Sequence, residues 1–207
     1  MTAEYLAQWT VPVTNRVFER YGLRFNLLSA EVITDDDLFD LVVPFDFEGQ
    51  ITVPAGDLPS TQALAGRPKQ PWIDIFVVNS ILGQFPDGEI FTPVGLGYYP
   101  VFSTTANQTL PEPHPIVVTG NGLGTTVAHE LAHYFDLEHT VSESVPIADT
   151  TPLLDKYNLM YVGGPDIYLW ELDYEAHLTK LQVRRLRESA LSLRSSTLTA
   201  LLAAAFD

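Results

Sequence analysis

The segment Thr126–Thr140, TVAHELAHYFDLEHT, constrains the fold of this chain more than any other stretch. Three of the five histidines of the 207-residue chain lie in it, at positions 129, 133 and 139. If residues 127–135 are helical, His129 and His133 lie on one face, roughly 6 Å apart along the axis. Imidazoles so placed can bind one ion, and zinc accepts histidine nitrogens at about 2.0–2.1 Å. The spacing therefore predicts a metal site on this helix.

His139 can join this site only if the helix ends before it. On a continuing helix it would lie roughly 15 Å along the axis from His129, too far to share an ion. The chain must therefore turn back between His133 and His139. Asp136 lies in that interval, and Asp is one of the few non-glycine residues that enter the left-handed region readily. We predict a turn there that brings the third imidazole to the other two.

Glu130 lies one residue further round the predicted helix than His129. From that position its carboxylate reaches a metal-bound water rather than the metal, which is the arrangement of HExxH zinc proteases. The opposite face carries an apolar stripe at helical spacing, formed by Val127, Leu131, Tyr134 and Phe135. The alternative is an amphipathic helix with scattered histidines, and the clustering of three histidines with a correctly placed glutamate argues against it.

The rest of the chain predicts an α+β fold, because helical and extended patterns are mixed along it. We expect a first helix over residues 4–21 that is interrupted by Pro12 and stopped by Gly22. The histidine helix should begin near Thr125 or Thr126, and the pair Thr179 and Gln182 has the spacing of a capping box that opens a final helix. Strands are predicted over residues 24–33, 51–53, 72–78, 94–102 and 115–119, with 72–78 central.

The histidine segment resembles a known family of zinc proteases. HELAHYFDLEH is similar to the metzincin pattern HExxHxxGxxH at every position except the glycine, where Asp136 stands. Asn158-Leu159-Met160-Tyr161 resembles the methionine turn that metzincins carry beneath the metal. Between about Trp72 and Leu193 the chain is most similar to the pappalysin-like branch, in Thr140, in LGTTVAHELAHYF and in LTKLQVRRLR.

The resemblance implies a metzincin-like zincin fold in a single catalytic domain over residues 1–207. A twisted mixed sheet, the active-site helix and a C-terminal helix would form two lobes around a cleft, the upper to about residue 139 and the lower from about 140. The implied activity is that of a secreted metalloendopeptidase that acts on peptide or protein substrates. The implied site residues are the Zn²⁺ ligands His129, His133 and His139, the general base Glu130, Met160 of the methionine turn, and the substrate-binding backbone of Gly97, Tyr98 and Tyr99.

Several positions depart from the pattern or leave alternatives open. Asp136 either strains the turn or adds a carboxylate near the site, and the tyrosine that some metzincins carry two residues after the methionine is replaced by Val162. In another class of zinc protease a glutamate from a later helix is the third ligand, and Glu171 or Glu175 could take that role. His139 already completes a three-ligand site, so this ligand is unnecessary. The residues His114 and His177 are interpreted as non-ligands.

Two further patterns concern other ligands. The acidic, turn-rich stretch of residues 35–46 is predicted to be a solvated loop, with Ca²⁺ binding by Asp35, Asp36, Asp37, Asp40 and Asp46 as the alternative. Gly95-Leu96-Gly97 lacks the third glycine and the following helix of a nucleotide site, so we interpret it as an edge strand bordering the cleft. A preference for basic substrate residues is a further hypothesis, which rests on Asp149, Asp155 and Asp166.

Composition excludes some partners and leaves others open. The net charge of −15, from 26 acidic and 11 basic residues, disfavours nucleic acid and anionic membranes. The absence of cysteine excludes disulfides, thiolate ligands and a cysteine switch. No signal peptide and no bilayer-spanning apolar run are visible, and the oligomeric state is not predicted. A zinc-binding module without proteolytic activity remains the alternative function, and an exopeptidase would need a group that captures a peptide terminus.

Overall fold

The computed structural model describes residues 3–31, 40–44, 73–92, 95–96, 116–119, 125–137, 139–140, 158–161 and 176–191. Helices and strands are mixed along them, so the predicted α+β class is confirmed. The helical segments are α-helix Ala3–Tyr5, π-helix Leu6–Thr10, α-helix Val11–Phe18, 3-10 helix Glu19–Tyr21, α-helix Thr125–Tyr134 (the histidine helix) and residues 180–191 (the C-terminal helix). The strands are β1 (Asp40–Pro44), β2 (Ile75–Val78), β3 (Ser80–Gln84), β4 (Ile90–Phe91), β5 (Gly95–Leu96) and β6 (Ile116–Thr119).

The first helix is confirmed, although Pro12 does not interrupt it. Pro12 lies in the first turn of Val11–Phe18, where its missing N–H and fixed φ are tolerated. A π-helical turn precedes it, in which the Val11 N–H donates to the Leu6 carbonyl. Gly22 ends the helix at a left-handed φ of 85°, as predicted.

The strand predicted over residues 24–33 is wrong for its described part, since residues 24–31 have no regular secondary structure. The side chain of Asn15 explains the difference. Its Oδ1 accepts from the Phe25 N–H at 2.7 Å, and its Nδ2 donates to the Phe25 carbonyl at 2.8 Å. Both backbone groups of Phe25 are thus bound to the first helix. Its ring packs edge-on to Phe18, with centroids 5.3 Å apart.

Within the described residues the strands form two three-stranded sheets. In the first sheet β3 lies between parallel β1 and antiparallel β4; in the second, β6 lies between parallel β2 and antiparallel β5. Only Asn79 separates β2 from β3, so the segment 75–84 contributes one strand to each sheet. The strand predicted over residues 72–78 is confirmed for residues 75–78, but its predicted central position is wrong for the described strands: β6 is central, and β2 lies at an edge.

Strand β1 corrects the prediction of a loop over residues 35–46. Leu41 and Val43 are buried and alternate with exposed Asp40 and Val42, a period-two pattern that pairs with β3. The Asp40 carboxylate accepts hydrogen bonds from Asn79 and Ser80, which lower its pKa. The other acidic residues of the suggested Ca²⁺ site lie outside the described residues.

The second sheet separates two apolar clusters. Along β6, Ile116 and Val118 face the histidine helix, whereas Val117 faces the cluster formed with β1 and β3. The histidine helix packs against the first face through the predicted stripe, in which Val127 and Leu131 are buried. This larger cluster also includes the first helix, the segment 158–160 and the C-terminal helix. The metal-site segments therefore share one core.

The capping box predicted at the start of the C-terminal helix is confirmed. The Thr179 Oγ1 accepts from the Gln182 N–H at 3.2 Å, and the Gln182 Oε1 accepts from the Thr179 N–H at 2.9 Å. The helix extends at least to Leu191. Among the helices that the structure describes, none is long and apolar enough to cross a membrane.

Candidate metal centre

The turn after the histidine helix reverses the chain at the predicted residue. Asp136 has a φ of 67° and is the one non-glycine residue with positive φ in the described part of the chain. The Leu137 N–H donates to the Ala132 carbonyl at 3.1 Å and the Asp136 N–H to the His133 carbonyl at 2.8 Å. These two bonds form a Schellman motif with Asp136 in the position that glycine usually occupies. Asp136 therefore takes the left-handed conformation that this turn requires.

This turn brings three imidazoles together. The Nε2 atoms of His129, His133 and His139 form a triangle with all three sides 3.1 Å. The two helical histidines are buried and His139 is half-buried. The predicted cluster could therefore hold a metal ion, and it is the one such group of His, Cys, Asp or Glu within the described residues.

The other ring nitrogens determine which atoms face one another. Nδ1 of His129 contacts the Leu159 carbonyl at 2.5 Å, and Nδ1 of His133 contacts the Leu137 carbonyl at 2.7 Å. A carbonyl only accepts, so each Nδ1 carries the proton and the Nε2 of each neutral ring has a bare lone pair. Lone pairs that converge in this way repel one another. A cation between them removes the repulsion, which is the arrangement of a metal site.

Burial keeps these rings neutral. Desolvation lowers the pKa of His129 to about 4, against the hydrogen bond to Leu159, which raises it. Desolvation likewise holds the pKa of His133 well below its ordinary value, and it lowers the pKa of His139. Metal ligation requires neutral imidazole, so the site is ready to bind a cation at neutral pH without first losing protons.

The triangle fits a tetrahedral metal with one open position. Nitrogens about 2.05 Å from a tetrahedral ion lie about 3.3 Å apart. The observed separations of 3.1 Å need only small shifts to meet that value. Three neutral nitrogen donors suit zinc and other borderline metals better than Mg²⁺ or Ca²⁺, which prefer oxygen.

The segment 158–161 contacts the chain around two of the three histidines. The backbone turns at Leu159 and Met160, and both side chains are fully buried. The Met160 carbonyl accepts from the N–H of Thr140, the residue after His139, at 2.9 Å. This segment therefore contacts His129 through one carbonyl and the chain beside His139 through the next.

Glu130 lies beside the cluster and against the sheet edge. Its side chain is buried, and a Cβ built on Gly95 would lie 2.5 Å from its Oε1 and 2.8 Å from Cγ2 of Thr126. Only glycine therefore leaves room for this carboxylate beside β5. Gly95 lies on an edge strand as predicted, since β5 pairs with β6 alone among the described strands. Its contact with Glu130 was not predicted, although a glycine in a strand can indicate such a close approach.

The Asp136 carboxylate does not join the histidines. Its Oδ2 accepts from Nε of Arg185 on the C-terminal helix at 2.9 Å. His177 also lies apart from the cluster; it forms a bridge with Asn158, and its carbonyl accepts from the Leu159 N–H. The predicted substrate-binding residues Gly97, Tyr98 and Tyr99 lie outside the described residues. So do the other positions considered from the sequence: His114, Asp149, Asp155, Val162, Asp166, Glu171 and Glu175.

Comparison with known proteins gives no assignment. The chain matches no family model, and no curated protein is significantly similar to it in sequence. The chemistry of the site is therefore argued from its own side chains.

The metal-free protein should lose stability as the pH falls from about 6.5 towards 4. The lowered pKa of His129, about 4 in the folded state, lies below the unfolded value of 6.5. Between these two pH values the unfolded chain binds a proton at this histidine and the folded protein does not. The free energy of unfolding therefore falls by up to about 1.4 kcal/mol per pH unit for each such histidine. Urea unfolding of chelator-treated protein at a series of pH values measures the slope.

The control is His129→Asn, whose amide can still donate to Leu159 but does not titrate. We expect its stability to depend less steeply on pH between 6.5 and 4 than that of the wild type. Equal slopes for the two proteins would contradict the assignment of a neutral, buried His129.

Proposed function

We propose that this protein is a zinc-dependent endopeptidase with a metzincin-like catalytic domain. The observation that carries the proposal is the convergence of three neutral imidazoles beside a buried glutamate. His129, His133 and His139 would hold the zinc and leave it an open position. Structural zinc sites are usually closed by a fourth protein ligand, so three histidines with no fourth ligand among the described residues favour catalysis.

The chain supplies two functions around the metal. When bound, zinc provides a Lewis acid that lowers the pKa of water and polarises a peptide carbonyl. Glu130 accepts the proton of the attacking water and delivers it to the nitrogen of the leaving amine. The histidines remain neutral because burial lowers their pKa values, and the carbonyls of Leu159 and Leu137 hold the Nδ1 protons of His129 and His133.

Several features support the family assignment. The reversal at Asp136 matches the place of the metzincin glycine, and the turn of residues 158–160 lies where a methionine turn is expected. The antiparallel edge strand β5 lies beside Glu130, which suits an extended peptide that adds to a sheet edge. The same proposal includes secretion of the protein and a cleft between two lobes of the domain.

A zinc-binding module without activity is the second candidate. The buried carboxylate of Glu130 argues against it, since a site that only binds metal has no use for a glutamate that Gly95 accommodates. An exopeptidase would also require a group that captures a peptide terminus.

The first test combines metal analysis with a proteolysis assay. We expect about one zinc per chain in both the wild type and Glu130→Gln, with casein cleavage reduced at least about 100-fold in the variant, the usual contribution of a general base. Glu19→Gln, the same substitution at a surface ion pair with Arg24, should keep full activity.

Zinc binding without cleavage by the wild type would favour the binding module. Equal cleavage by wild type and Glu130→Gln would exclude Glu130 as the base.

The second test concerns the glycine beside the base. In Gly95→Ala the new methyl group would displace the Glu130 carboxylate, so we expect kcat to fall about tenfold or more while zinc content stays unchanged. Steady-state kinetics and metal analysis measure the two quantities. Full activity in this variant would show that Glu130 does not work from the position against β5.

A further inference from the structure

Two side chains of the C-terminal helix contact the two segments that orient the histidines. Gln182 binds the segment 158–161, and Arg185 binds the turn at Asp136. The two residues lie three positions apart and hence on one face of the helix. Neither contacts a histidine, so the sequence pattern gave no sign that they belong to the site.

The contact of Gln182 leads to His129. The Asn158 Nδ2 donates to the Gln182 Oε1 at 2.8 Å, and the Gln182 Nε2 donates to the Asn158 Oδ1 at 3.2 Å. The same Oδ1 accepts from the Met160 N–H at 2.9 Å, which closes a turn around Leu159. The Leu159 carbonyl binds Nδ1 of His129. A shift of the Asn158 side chain would therefore move the carbonyl that orients this ring.

The contact of Arg185 leads to His133 in the same way. Its Nε donates to Asp136, which occupies the left-handed position of the Schellman turn. The next residue, Leu137, supplies the carbonyl that binds Nδ1 of His133. A non-glycine residue in the left-handed region is held there against steric strain. The ion pair with Arg185 stabilises the carboxylate of that residue, at a half-exposed position where such pairs are weak.

The amide of Gln182 does more than the capping box requires. Only its oxygen takes part in the cap, through the Thr179 N–H, and a glutamate would serve equally. The amide nitrogen is used only on Asn158, and both residues are buried, with exposed fractions of 4% and 1%. A carboxylate at position 182 would keep the cap and face the Asn158 Oδ1 with a second acceptor.

We propose that the C-terminal helix orients two of the candidate metal ligands. Gln182 is the positioning residue for His129, and Arg185 is the positioning residue for His133. Gln182 acts through Asn158 and the Leu159 carbonyl, and Arg185 acts through Asp136 and the Leu137 carbonyl. This role deepens the proposed function, because it concerns how the same ligands are oriented.

The test compares Gln182→Glu with Thr179→Ala, which removes the other half of the capping box and leaves Asn158 untouched. Zinc dissociation constants are measured by competition with a chromophoric chelator. The tautomer of His129 is read from long-range ¹H–¹⁵N spectra of the metal-free protein above pH 7. We expect Gln182→Glu to weaken zinc binding about 10–100-fold, which is the usual effect of losing a group that orients a metal ligand. Part of the His129 population should also change to the tautomer that is protonated at Nε2. Thr179→Ala should lower the melting temperature but leave affinity within about twofold and the tautomer unchanged.

A second pair of variants tests the other branch and does not depend on a buried substitution. Arg185→Met should weaken zinc binding a few-fold, in keeping with a half-exposed pair. Arg184→Met, which breaks the exposed pair with Glu188 on the same helix, should have no effect.

The outcomes separate this inference from the proposed function. If Gln182→Glu keeps wild-type affinity and tautomer, or if Thr179→Ala changes both equally, positioning by Gln182 is wrong. If Gln182→Glu does not fold, equal affinities of Arg185→Met and wild type overturn the proposal, and a loss confined to Arg185→Met supports it. A wild type that binds no zinc contradicts the proposed function alone, because the tautomer of His129 still decides the positioning role.

Discussion

The candidate metal site depends on the reversal of the chain at Asp136. Two imidazoles one turn apart on a helix supply only two candidate ligands, and the third histidine lies beyond the helix end. The left-handed conformation of Asp136 and the two Schellman hydrogen bonds turn the chain back within three residues, so that His139 meets His129 and His133 at 3.1 Å. The same turn presents the Leu137 carbonyl to His133, so one local structure both delivers the third ligand and orients the second.

Burial keeps the imidazole rings of this cluster neutral. The histidine helix is covered by the sheet on one side and by the segment 158–161 on the other, and the rings stay neutral because desolvation lowers their pKa values. The rings of His129 and His133, whose Nδ1 atoms are held by carbonyls, direct their Nε2 lone pairs at a point that Nε2 of His139 also faces. A helix that carried the same histidines on an exposed face would lack this constraint, and its rings would titrate near neutral pH.

The sequence predicted the site better than it predicted the fold. The spacing of His129, Glu130 and His133 follows from helix geometry alone, and Asp136 was predictable because few residues turn left-handed. Residues 24–31 could not be predicted, since their extended pattern was overridden by the side chain of Asn15 in the preceding helix. Strand β1 was not predicted because acidic residues surround Leu41 and Val43. The roles of Gln182 and Arg185 depend on tertiary contacts with no local signal, and that of Gly95 had only the weak signal of a glycine in a strand.

X-ray absorption at the zinc edge of the metal-loaded protein tests the central claim most directly. We predict one zinc with three imidazole nitrogens at about 2.0–2.1 Å and one oxygen donor from water. In His139→Ala the spectrum should show one imidazole fewer, whereas His177→Ala should leave it unchanged, because His177 lies apart from the cluster. A wild-type spectrum with two imidazoles, or one that His139→Ala does not alter, would contradict the assignment of His139 and with it the metal centre described above.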